Sequence, residues 1–268
     1  MKKLEHLSEI YSSYDTFVID LWGVMHNGIV LKNKAIEAVD QLKKNSKKIV
    51  FLSNAPRPSS KVVDFLLKIK MNEKYLSNVV TSGEAAMHAI NQNKYGKTFF
   101  HLGPPRDASI FEKVKENKST IDKCNFILCT GLFDEREKEL DWYKKFLKDH
   151  ISKKLICTNP DLTVHRGDKE EYCAGYIAKI FEDLGGKAIY YGKPYKEIYE
   201  MCFKENEKVL AIGDNLRTDI KGANNINKDC LFISDGVHRD EFNEALQLQN
   251  LLDKYKVKAN YFQKELQW

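Results

Sequence analysis

The sequence predicts an α/β protein built on a parallel sheet, and three observations carry that prediction. Short apolar, partly β-branched runs recur at residues 17–19, 49–52 and 209–212. Segments with a helical apolar period lie between such runs. Several runs stop abruptly at polar residues, among them Asp20, Ser53 and Asp214. Strand, helix and strand in alternation imply parallel pairing through right-handed crossovers. A chain of 268 residues also has room for a second, smaller lobe.

Composition narrows the class. Hydrophobic residues make up 43% and charged residues 30% of the chain, an ordinary globular balance that excludes a fibrous or disordered protein. The net charge of +5 comes from lysines spread over the whole length, which describes a solvated surface better than a nucleic-acid face. No window approaches the ~20 apolar residues of a membrane span, and the start, Met1-Lys-Lys-Leu-Glu-His, has no apolar signal core. A cytoplasmic protein is expected, with neither nucleic acid nor membrane as partner, and a homodimer is compatible with the sequence. Six cysteines without any C-x-x-C pair indicate neither a zinc site nor a disulfide framework.

In order, Phe17, Val18 and Ile19 read as a buried strand ending at Asp20. Residues 34–44 follow as a helix, with Ala35, Ile36, Ala38, Val39 and Leu42 in period and a basic end suited to the helix dipole. Residues 48–54 are a second strand, residues 61–69 a helix with serines available to cap it, and residues 79–83 a third strand. The alternation then restarts, with helices at 85–91, 110–116, 137–150 and 172–184 and strands at 97–102, 126–130 and 155–159. The fourth helix ends at Gly185-Gly186. Strands at 188–191, 208–214 and 230–233, helices at 196–204 and 218–224, and a helical tail from Asp240 complete the chain.

Four strand ends offer polar residues: Asp20, Ser53-Asn54, Gly192-Lys193, and Gly213-Asp214 with Asp219 five residues on. In a parallel sheet these ends converge on one crevice. Carboxylates, a hydroxyl and a lysine together suit a phosphate ester. Asp20 and Asp214 are hard oxygen ligands for Mg²⁺, while Ser53 and Lys193 can hold phosphate oxygens. Asp214 and Asp219 could also be helix caps, Ser53-Asn54 a turn and Lys193 a surface lysine.

The order D-x-x-G-V, S-N, G-K-P and G-D-x-x-x-T-D resembles the four motifs of the haloacid dehalogenase superfamily, in its NagD-like branch of phosphatases with a type C2 cap. Asn159-Pro-Asp-Leu-Thr-Val-His-Arg-Gly167, Tyr172-Cys-Ala-Gly175 and Gly185-Gly186 extend the resemblance over nearly the whole chain. Ser53 and Lys193 lie 140 residues apart (193 − 53), far beyond one crossover, so a domain is inserted between them. The expected organisation is a Rossmann-like core from residues 1–83 and 187–268, with an α/β cap at 84–186.

The resemblance implies a nucleophilic Asp20 that forms an aspartyl-phosphate. It also implies Mg²⁺ held by Asp20, the backbone carbonyl of Trp22 and Asp214, with Asp219 in support. Lys193 and Ser53 would share the phosphate charge, and Asn54, Ala55, Arg57, Asn159 and Asp161 are candidate substrate contacts. The expected substrate is a small phosphorylated metabolite such as a sugar phosphate or nucleotide.

The departure is Trp22, where most phosphatases of the superfamily carry a second aspartate for proton transfer, a contribution of roughly 10²–10⁴-fold. His26 is a candidate replacement, against the alternative of a loop histidine without a role. A regulatory protein that binds phosphate without turnover, and hydrolysis at carbon, are the competing functions.

Overall fold

The computed structural model describes residues 1–167, 169–242 and 245–268. Across the larger sheet the order is β1 (Lys2–Lys3), β13 (Tyr261–Gln263), β12 (Asp229–Ile233), β11 (Val209–Gly213), β2 (Thr16–Ile19), β3 (Lys48–Ser53) and β4 (Val79–Thr81), numbered along the chain. Every adjacent pair is parallel. All four residues of β2 are buried, as expected of a strand covered on both faces.

Alternation along the strands divides the core. Phe17, Ile19, Phe51 and Ile212 pack with Leu42 of α1 (Asn33–Lys44) and Leu66 of α2 (Ser59–Lys68). Val18, Val50 and Leu52 face the other way, onto Ile198 and Tyr199 of α6 (Lys196–Glu200). Each fully buried Phe or Leu contributes about 1.5–3 kcal/mol to this core.

After β4 the chain enters α3 (Ser82–Asn91) and builds a second parallel sheet. Its order is β10 (Lys187–Tyr190), β7 (Lys154–Cys157), β6 (Phe126–Cys129) and β5 (Phe99–Leu102). This sheet has its own core, in which Ile127, Leu155 and Cys157 meet Leu147 of α4 (Leu140–Lys148) and Phe181 of α5 (Ala174–Asp183). An antiparallel hairpin, β8 (Thr163–Arg166) and β9 (Lys169–Tyr172), projects from it. The fold is therefore a Rossmann-like α/β core carrying an inserted α/β cap. Among the described residues no helix is long and apolar enough to cross a membrane.

Several expectations need correction. The strand read at 188–191 belongs to the cap sheet as β10, paired with β7, so the core does not resume at residue 187. Its apolar pattern marks a strand, but only pairing decides which sheet receives it. The helix read at 110–116 is instead 3₁₀ structure over Pro105–Asn117, interrupted at Phe111 and Val114. Tyr172 closes β9 rather than opening a helix. The helix read at 218–224 begins as a π turn, Leu216–Ile220, before α7 (Lys221–Asn225). Serine does not cap α2 either: Glu84 accepts from Ser59 N (2.9 Å) and Ser59 Oγ (3.1 Å). The tail from Asp240 is helical only in α8 (Ala245–Tyr255) and then returns to the sheet as β13, while residues 243 and 244 of that reading lie outside the described residues.

Candidate active site

Three strand ends assemble the centre. Asp20 follows β2 directly, and its backbone N–H donates to Ile212 of β11 (2.8 Å), fixing the carboxylate beside Asp214 at the end of that strand. Ser53 ends β3. Lys193 arrives from the loop before α6, and Asp219 from the π turn. The Lys193 ammonium, 3% exposed, donates to Asp20 Oδ1 (2.5 Å), Asp219 Oδ1 (2.6 Å) and the Leu52 carbonyl (3.1 Å). All three of its protons are thereby satisfied inside the protein.

The neighbours hold this constellation still. Asn54 uses both ends of its amide on Lys193: Oδ1 accepts from the Lys193 N–H (2.8 Å) and Nδ2 donates to its carbonyl (3.2 Å). Asp214 Oδ2 accepts from Val237 N–H (2.8 Å), and Asp219 Oδ2 from Asn215 N–H (3.1 Å). Gly23 lies against Asp214 with φ +85°, where an added Cβ would stand 2.0 Å from Oδ2, so no larger residue is accommodated.

Burial raises the Asp20 carboxyl well above its ordinary value; Lys193 opposes this, and Asp219 and Asp214 add to it. Asp214 is pushed up to about 7, by burial first and then by Asp219. Burial works against the Lys193 ammonium, but Asp20, Asp219 and Asp161 outweigh it and hold its pKa well above the lysine range. Carboxylates thus outnumber the ammonium. Asp20, Asp214 and Asp219 offer oxygens all within 4.8 Å of one another. This hard, buried, electronegative donor set fits a divalent cation such as Mg²⁺.

Asp20, Trp22, Ser53, Asn54, Ala55, Arg57, Asn159, Asp161, Lys193, Asp214 and Asp219 all line one cleft of about 930 Å³ between core and cap. Several of them are also bonded to one another or to the cap. The Ala55 N–H donates to Ser53 Oγ (3.2 Å), Asn159 Oδ1 accepts from the Asp161 N–H (3.1 Å), and Arg57 Nε donates to the buried Asp107 of the cap (2.5 Å). Asp161 Oδ1 accepts from Thr218 Oγ1 (2.9 Å) and Asn215 Nδ2 (3.2 Å), tying the cap to the loop that carries Asp214 and Asp219. His26 is not among the cleft residues. It is 2% exposed, its Nδ1 accepts from the Gly28 N–H (3.0 Å), and burial, with Arg166 and Lys32 adding, lowers its pKa to about 4.

Sequence reasoning missed Lys32, whose ammonium reaches the Gly23 (2.6 Å) and Asp235 (3.3 Å) carbonyls at the cleft wall. No local pattern marks it. Thr218 stood visibly within G-D-x-x-x-T-D, but without a role until Asp161 met it.

Residues 17–115 match the family model described as haloacid dehalogenase-like hydrolase, and residues 190–255 match a second, HAD-hydrolase-like model. The chain belongs to the haloacid dehalogenase-like hydrolases. The two matched segments place Asp20 and Ser53 in one and Lys193, Asp214 and Asp219 in the other. The crystal structure of a hydrolase of this family from Brucella suis 1330 is similar to this hydrolase with a TM-score of 0.86 and 29% identity, over 98% of this chain and 99% of that one. The 5'-nucleotidase YutF of Bacillus subtilis (strain 168) is 25% identical over 241 residues, 85% of this chain and 90% of its own. Phosphoglycolate phosphatase 2 of Arabidopsis thaliana is 21% identical over 290 residues, covering 96% and 92%.

Proposed function

We propose that this hydrolase is a phosphatase acting on a small phosphorylated metabolite through an aspartyl-phosphate on Asp20. The observation that carries the reading is the Lys193 ammonium bridging Asp20 and Asp219 beside Asp214, at the carboxyl edge of a parallel sheet and beneath a cap. Names of relatives point the same way, since a 5'-nucleotidase and a phosphoglycolate phosphatase both act on phosphate monoesters.

In this reading an Asp20 oxygen attacks phosphorus, and the bond to the leaving-group oxygen breaks with its electron pair remaining on that oxygen, which takes a proton from solvent. Water then attacks phosphorus, gives a proton back to solvent and breaks the bond from phosphorus to the Asp20 oxygen, releasing inorganic phosphate and restoring the carboxylate. Lys193, exchanging one of its carboxylate bonds for the phosphate, and Ser53 hold the non-bridging oxygens, and Asn54 positions Lys193 by its backbone. Mg²⁺ held by Asp20, the Trp22 carbonyl and Asp214, with Asp219 in support, would neutralise charge on the phosphate oxygens. The cap, residues 84–190 on the sheet pairing, covers the cleft and limits it to small substrates.

The test is hydrolysis of 4-nitrophenyl phosphate with and without Mg²⁺, a substrate whose leaving group needs little acid catalysis. Turnover that requires Mg²⁺ and falls at least 10³-fold in Asp20→Asn, roughly the scale of removing a catalytic nucleophile, is the expected result. Phosphate binding without turnover would overturn the reading in favour of a regulatory protein.

A further inference from the structure

Trp22 occupies the position from which proton transfer is absent, and its surroundings show another use for it. The indole N–H donates to the carbonyl of His165 in the cap hairpin (2.7 Å). The Arg166 guanidinium, from the same hairpin, lies 5.2 Å from the indole centroid. Phe65 of α2 stacks on the ring at 6.5 Å with 10° between planes, and His26 meets it edge-on at 5.1 Å. The half-buried indole is thus contacted from both the core and the cap while its remaining surface lines the cleft. Gly28 makes room for it, since a Cβ there would stand 2.5 Å from Trp22 Cζ2. One residue earlier, the Asn27 carbonyl accepts from the Gly167 N–H at the hairpin turn (3.0 Å).

The hairpin needs such an anchor. Its eight strand residues are exposed or half-buried, and none belongs to a buried core cluster of the described residues. Yet Val164, His165, Lys169 and Tyr172 line the cleft. A β-hairpin without a packed face is marginal by itself and takes its position from whatever it docks on.

We propose that Trp22 is a positioning residue that docks the cap hairpin across the cleft and so sets which leaving groups the site admits. This rests on the phosphatase reading for its specificity half only. The indole replaces a proton carrier by a post: the chain segment two residues beyond the nucleophile holds the roof of the leaving-group side. Specificity then follows from the hairpin side chains that the post brings there, and the hairpin cannot drift without breaking the Trp22 and Asn27 contacts together.

The experiment compares wild type with Trp22→Phe, which keeps an aromatic ring beside Phe65 but loses the N–H. Arg166→Ala removes the contact from the hairpin side, in case the first variant folds poorly. Backbone amide hydrogen exchange over residues 163–172 should accelerate about 5–10-fold in Trp22→Phe, the effect of losing one hydrogen bond, and by a smaller factor in Arg166→Ala. The ratio of KM for 1-naphthyl phosphate to that for 4-nitrophenyl phosphate should change at least fivefold, because the bulkier leaving group meets the displaced roof. An exchange rate within twofold of wild type in both variants, or an unchanged KM ratio, overturns the proposal. Lack of wild-type turnover on any monoester would sink the phosphatase reading, while the exchange readout still decides the docking.

Discussion

Replacing Lys193 by methionine should cost this protein a large part of its stability as well as its activity. The side chain is almost fully buried, and its ammonium compensates Asp20 and Asp219 at 2.5 and 2.6 Å. Lys193→Met keeps the volume but leaves both carboxylates without their cation and the Leu52 carbonyl without its donor. Removing one partner of a buried ion pair costs about 3–5 kcal/mol, because an uncompensated charge remains in a low-dielectric site. At roughly 2–4 °C per kcal/mol for a chain of this size, Tm should fall by about 6–20 °C. Thermal unfolding followed by circular dichroism in metal-free buffer measures it. The double variant Lys193→Met/Asp219→Asn removes one of the stranded charges and should recover at least a third of the loss, an interaction a double-mutant cycle reads directly. A single variant that melts within 2 °C of wild type, or a double variant whose losses simply add, would refute the view of Lys193 as the charge that holds this centre together.

Two further outcomes follow from the same geometry. Asn54→Ala removes both amide contacts to the Lys193 backbone at a 3% exposed position and should lower kcat about 10–100-fold, with Tm falling by a few degrees; steady-state kinetics and melting check the pair. His26 supplies a pH dependence: its folded pKa of about 4 lies below the unfolded 6.5, so its contribution to stability is complete above 6.5 and is lost as pH falls towards 4. His26→Asn, which can offer an oxygen to the Gly28 N–H, should flatten the urea-unfolding profile between pH 4 and 6.5 relative to wild type.

How much was legible in the sequence depends on how far apart the deciding residues lie. The apolar runs and their polar ends are local, so Asp20, Ser53 and Asp214 could be placed at strand ends before any pairing was known. Lys193 could be joined to them only through motif order, since it lies 140 positions beyond Ser53 (193 − 53), with the whole cap in between. The hairpin strands Thr163–Arg166 and Lys169–Tyr172 left no trace because they read T-V-H-R and K-E-E-Y, too charged for an alternating signal. The strands at the edge of the core sheet were equally silent: β1 is two residues long and β13 three.

By itself, then, the sequence determined the α/β class, the inserted cap and the residue types that meet at the carboxyl edge of the sheet, because strand pattern and terminal residue are read along the chain. Tertiary structure alone decided that β10 pairs with β7, that His26 stays out of the cleft, that Asn54 serves Lys193, and that Trp22 carries the hairpin. Each of these depends on contact between segments distant in sequence, and hydrophobic period is blind to which partner a buried group will find.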